Sequence, residues 1–111
     1  MWSSYKFGVF LQDGPWLDVG GIFIFARSGF AGRWTAIYIG QTNSLKAHIP
    51  SHKRWDDANR LGATHIHARG IEDQATRDKI EQELIAAYLP SMNLQFNHSL
   101  SGFPSSVLPL R

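Results

Sequence analysis

Tyr38 and His48 stand at the two ends of a stretch whose residue types suit a phosphate. Ile37 and Ile39 flank the tyrosine and signal a strand. Gly40 permits a close backbone approach, and Thr42, Asn43 and Ser44 are all good N-caps for a helix opening at Leu45. A strand that runs through glycine into a capped helix start sets a phenol beside free backbone N–H groups, a place to hold an anion. The competing reading is an ordinary strand-to-helix connection.

Other residues carry other chemistry. His48 and His52 lie four apart, and His65 and His67 alternate on one strand face. Such pairs suit a transition metal such as Zn²⁺, although Pro50 disturbs the helical geometry between the first two. Lys46, Lys53, Arg54 and Arg60 surround Trp55 in a basic, aromatic cluster. That cluster suits a nucleic-acid backbone, where cations displace condensed counterions. Asp56 and Asp57 dilute its charge, as they would on a solvated helix face. Glu81 and Glu83 sit about 200° apart around a helix, so they cannot share a site.

The elements that must position these residues follow from local pattern. Strands are expected over 5–11, 22–26, 34–40 and 63–68, with a turn at 12–15 and a hairpin loop at 28–33 that makes the second and third antiparallel. A helix is expected over 43–49, stopped by Pro50. A second, capped by Ser51, runs over 52–61 and is closed by Gly62. The clearest helix covers 73–89, with an apolar stripe of Ile80, Leu84, Ala87 and Tyr88 beside Ile85, and Pro90 ends it. The expected fold class is α/β, a small mainly antiparallel sheet of three to four strands flanked by helices. One domain is expected over 1–96, and the Ser, Pro and Gly content of 97–111 reads as a loosely ordered tail.

Composition sets outer bounds. The 111 residues form one domain by length, and the absence of cysteine excludes disulfides and thiolate zinc sites. Eleven Lys and Arg against nine acids give a net charge of +2, which permits nucleic acid without demanding it. No apolar run is long enough to span a bilayer and no signal pattern opens the chain, so a cytoplasmic, non-membrane protein is expected. The sequence leaves homodimerisation open.

Taken in order, Gly21-Ile22-Phe23, Tyr38-Ile39-Gly40, Leu45-x-x-His48, Glu81-x-x-Leu84-Ile85 and Pro90-x-x-Asn93 resemble the GIY-YIG nuclease superfamily, over roughly residues 20–93. That superfamily includes the N-terminal nuclease domain of the bacterial excision-repair endonuclease. The resemblance implies a DNA endonuclease, with a role in DNA repair among its relatives, that hydrolyses phosphodiester bonds with a divalent cation. It implies that Glu81 holds Mg²⁺ or Mn²⁺ and that Tyr38, or a water bonded to it, helps activate the nucleophile. Asn93 would fix backbone or a tyrosine, Gly21 and Gly40 would support the site, and Lys46, Lys53 and Arg54 would face the DNA.

Two positions depart from the pattern. Phe23 stands where the family has tyrosine, and His48 stands where it has the arginine that stabilises charge on the phosphate. A histidine lacks the bidentate fork of arginine. Loss of an arginine from a phosphoryl-transfer site costs ~10³–10⁵ in rate. The resemblance therefore supports two expectations: a nuclease of slow turnover, or a module that keeps the fold and binds nucleic acid or a protein without cutting.

Overall fold

Six successive buried residues, Gly21 through Ala26, dictate the architecture, because a strand without an exposed side needs cover on both faces. In the computed structural model the described residues are 1–94; the expected tail, and the last two residues of the expected domain, lie outside them. Four strands, β1 (Gly8–Phe10), β2 (Gly21–Ser28), β3 (Trp34–Thr42) and β4 (His65–Gly70), form one sheet in the order β1-β4-β2-β3. Every neighbouring pair is antiparallel. Helices α1 (Leu45–His48), α2 (Trp55–Arg60) and α3 (Gln74–Tyr88) flank it, with a 3₁₀ turn at Phe30–Gly32 in the β2–β3 hairpin. The fold is α/β, as the order of elements leads one to expect.

The two faces have separate cores. Phe23 and Phe25 point to one, where Leu45, Ile49, Ala58, Ala63, Ile66 and Met92 cover them. Ile22, Ile24 and Ala26 point to the other, under Ile80, Leu84 and Ile85 of α3 and the indole of Trp2. A register shift in the β2–β3 ladder pairs Phe25 with Tyr38 but Ala26 with Ala36, leaving Ile37 as an extra residue. Ile37 and Tyr38 therefore both serve the phenylalanine face, while Ile39 turns to the α3 face. Simple alternation around Tyr38 is broken at this bulge.

Three elements differ from the sequence expectation. The first strand keeps only Gly8–Phe10 of the expected 5–11, because Trp2 is drawn over the α3 face, where its indole donates to His67 Nδ1 at 2.8 Å. Ser51 does not cap a helix: the chain makes successive turns, with His52 N–H donating to Ile49 O and Trp55 N–H to His52 O, before α2 begins at Trp55. In α3 the buried stripe is Arg77, Ile80, Glu81, Leu84 and Ile85, not one that includes Ala87 and Tyr88. That spacing is the usual core-facing stripe, with two of its five positions charged. Asp73 caps α3 by accepting from Thr76 N–H at 2.9 Å, and Leu89 closes it in the left-handed region at φ 46°.

β3 is an edge strand, and one side chain covers part of its free edge. Asn93 Oδ1 accepts from Ile39 N–H at 2.7 Å and Asn93 Nδ2 donates to Ile39 O at 2.8 Å. The amide thus acts as one residue of a missing fifth strand. Gly40, the next residue, lies beneath the Phe23 ring, and a Cβ there would come within 2.5 Å of Phe23 Cζ and 3.1 Å of Tyr38 Cε2. Gly21 is similarly confined, since its Cβ would meet Arg69 O at 2.6 Å. Gly40→Ala is expected to destabilise the fold by about 1–3 kcal/mol through overpacking against a fully buried ring. An unchanged denaturation midpoint in that variant would refute the close approach.

Candidate active site

Because β3 ends the sheet, groups from both faces can converge on its last residues. Gln41 is the meeting point. Its side-chain Nε2 donates to Asp78 Oδ1 and to Glu81 Oε1, the latter at 3.1 Å, while its Oε1 accepts from Arg77 Nε at 3.1 Å. Arg77 is fixed in turn by donating from Nη1 to Ile71 O at 2.9 Å and Glu72 O at 2.7 Å. Both Arg77 and Glu81 are buried, at 5% and 7% exposure, and Glu83 points away to the Tyr5 hydroxyl. Glu81 is therefore not part of a solvated helix face.

On the other side of Gln41 lies a cleft of about 300 Å³, lined by Gln41, Thr42, Asn43, His48 and His52. A second cleft of about 240 Å³, lined by Ala47, His48, Ser51, His52 and Lys53, shares its two histidines. His52 packs edge-on to Phe23 and Phe25, with centroids 5.1 and 5.3 Å away, and Tyr38 stands 5.9 Å off. Burial, and then the positive charges of Arg54, His48 and Lys53, lower the His52 pKa to about 4. Its Nδ1 accepts from Arg54 N–H at 3.0 Å, so the proton of the neutral ring sits on Nε2. Tyr38 is half-buried. Burial raises its pKa and Glu81 adds to that, against an opposing effect of Arg54. The phenol is therefore protonated at neutral pH, and both Glu81 and Arg54 lie near enough for their charges to act on it.

The structure sorts the expected residues. Tyr38, His48 and Glu81 gather around the end of β3, and Lys53 lines the second cleft. Arg54, half-buried, acts on both Tyr38 and His52, a position the sequence beyond Pro50 leaves open. Lys46 is exposed and is not among the residues lining either cleft. Gly21, Gly40 and Asn93 shape the backbone around the site. Arg27 and Arg69 turn elsewhere, donating to Leu61 O and Lys6 O. Asp57 of the basic cluster pairs with Arg60 at 2.8 Å, and Trp55 packs inward on Phe25.

The anion site expected at the start of α1 is overturned. Its donors are occupied: Leu45 N–H by Val19 O at 2.9 Å, Lys46 N–H by Leu17 O at 3.0 Å and Ala47 N–H by Ser44 Oγ at 3.1 Å. The loop through 17–19 crosses the helix start and takes what a phosphate would have taken. The second histidine pair packs among indoles, with Trp34 edge-on to both imidazoles. His67 is 3% exposed, with Nδ1 accepting from Trp2, and His65 Nδ1 pairs with Thr64 Oγ1. Among the described residues no group of three or more His, Cys, Asp or Glu is placed to hold a metal ion.

Sequence reasoning missed Gln41, Asp78 and Arg77. Arg77 and Glu81 are four apart on the face that carries Ile80 and Leu84, so helical spacing alone could have drawn them to the core. No family model, curated protein or solved structure matches this chain. Among the described residues no helix is long and apolar enough to cross a membrane.

Two buried imidazoles give the fold a pH dependence. His52 and His67 both have folded-state pKa values lowered to about 4, the latter by burial first and then by the N-terminal amine and His65. In the unfolded chain each protonates near its ordinary 6.5. Stability is thus fully present above about pH 6.5 and drains away as pH falls toward about 4. Denaturant midpoints measured from about pH 7.5 down to about 4 should fall over that window, and His52→Gln should flatten the slope. A midpoint independent of pH there would contradict the burial of both rings.

Proposed function

We propose that this domain is a GIY-YIG-type DNA endonuclease that hydrolyses phosphodiester bonds with a divalent cation at Glu81. The observation that carries the reading is Gln41 at the open end of β3, which lines a cleft with His48 and His52 while its amide holds Glu81, with the Tyr38 ring beside His52. The donor set fits Mg²⁺ or Mn²⁺. Glu81 and Asp78, one turn apart, present carboxylate oxygens to a single amide nitrogen, and Mg²⁺ needs only one or two carboxylates with water and substrate phosphate. When bound, such a cation polarises the phosphoryl oxygen and eases departure of the leaving group.

The chain's own groups supply the rest. Gln41, anchored by Arg77, orients the two carboxylates. Tyr38, kept protonated, accepts a hydrogen bond from the attacking water and holds it in line. His48 offers a ring N–H and Arg54 its charge to the phosphate oxygens, in place of the arginine that the pattern has at position 48. His52, neutral, contributes an Nε2–H donor. The second reading, a module that binds without cutting, draws its support from Phe23 and His48. Phe23 puts an apolar ring against Tyr38 and His52 where the pattern has a hydroxyl.

Nicking of supercoiled plasmid in Mg²⁺ or Mn²⁺ tests this. Wild type should cut, Glu81→Ala should lose at least ~10²-fold in rate, and His48→Arg should cut faster than wild type. Cutting that survives Glu81→Ala would remove the proposed metal ligand. Silence from wild type and His48→Arg together would sink the nuclease reading in favour of the binding module.

A further inference from the structure

The second cleft has no task in the hydrolysis just described, yet it is built next to it. The two clefts share His48 and His52 as a common wall. On one side the remaining lining is neutral, Gln41, Thr42 and Asn43, with Glu81 behind the amide. On the other it is Ala47, Ser51 and Lys53, an aliphatic surface, a hydroxyl and a full positive charge. Among the described residues no carboxylate lines either cleft. Lys53 also acts electrostatically on the dividing imidazole of His52, together with Arg54 and His48.

We infer that the Ser51–Lys53 cleft is a subsite for a second phosphate, so that the protein grips two successive phosphates of one nucleic-acid strand across the His48–His52 wall. The inference rests on the nuclease reading for what happens in the first cleft, but the grip itself does not need catalysis. A lysine is a point charge with three donors, well suited to a phosphate that must be held and not transformed. A serine hydroxyl beside it adds a neutral donor, and His48 borders both phosphates. The first phosphate lies on the side where Glu81 stands behind the Gln41 amide, and the second meets Lys53 and Ser51. That asymmetry sets which bond lies at Glu81 and which is merely held. Substrates ending before the second phosphate lose the grip, so the preferred substrate is an internal linkage and not a terminal one.

Calorimetric titration with three probes tests the subsite without any cutting: deoxythymidine 5′-monophosphate, deoxythymidine 3′,5′-bisphosphate and inorganic pyrophosphate. The bisphosphate should bind about tenfold or more tightly than the monophosphate. Lys53→Ala and Ser51→Ala should shrink that advantage, Lys53→Ala nearly to nothing, whereas Lys6→Ala should leave it intact. Equal binding of mono- and bisphosphate, no saturable binding of the bisphosphate, or an advantage that survives Lys53→Ala would each overturn the second subsite. Pyrophosphate binding as tight as the bisphosphate would overturn the strand spacing, since its phosphates are not separated by a nucleoside. Plasmid nicking with Glu81→Ala reads the nuclease separately, so either conclusion can fail while the other stands.

Discussion

Everything in this structure depends on β2 being buried on both faces. A run of Gly-Ile-Phe-Ile-Phe-Ala cannot be left half open to water, since each large apolar side chain exposed forfeits roughly 1.5–3 kcal/mol of transfer free energy. Each face therefore recruits its own cover: α3 and Trp2 over the isoleucines, and the segment from α1 through α2 over the phenylalanines. The two covers have no reason to meet except beyond the sheet's margin. β3 is that margin, and the candidate site is where they meet.

The same constraint explains the charged pair inside α3. Arg77 and Glu81 occupy positions that the helix presents to the sheet, which an apolar pair would fill at no desolvation cost. They remain because the strand end opposite them is also polar. Gln41 gives its oxygen to the arginine and its nitrogen to the carboxylates, and the arginine satisfies two backbone carbonyls of the 71–72 turn. Removing Arg77 would strand those carbonyls and let the amide rotate, so the residue holds the site together without touching substrate. Buried polar networks are worth their desolvation only when every member is satisfied, and this one joins a loop, a strand and a helix.

The sequence made the strands and the long helix legible, because these rest on short-range rules: β-branched and aromatic runs and a terminating proline. What stayed hidden was long-range. No rule of composition says that residues 17–19 cross the start of α1 and use up its N–H groups. Nor does any say that Ile37 is a bulge, or that the segment after Pro50 coils before becoming helix. Arg77 was hidden for a different reason: a charged residue reads as solvent-facing until the partner that satisfies it in burial, 36 residues away in the chain, is in view.

Phe23 and His48 are linked through His52. Phe23 packs on His52, and His52 stands beside His48 along both clefts. His52 is already kept neutral by burial and by the cations around it. A permanent arginine at position 48 would add a fixed charge to those cations, and a tyrosine at position 23 would bring a hydroxyl to the aromatic wall that Phe23 and Phe25 form against the imidazole. With His48 and Phe23 in place, the ring of His52 sits between an apolar support and a second imidazole that shares both clefts.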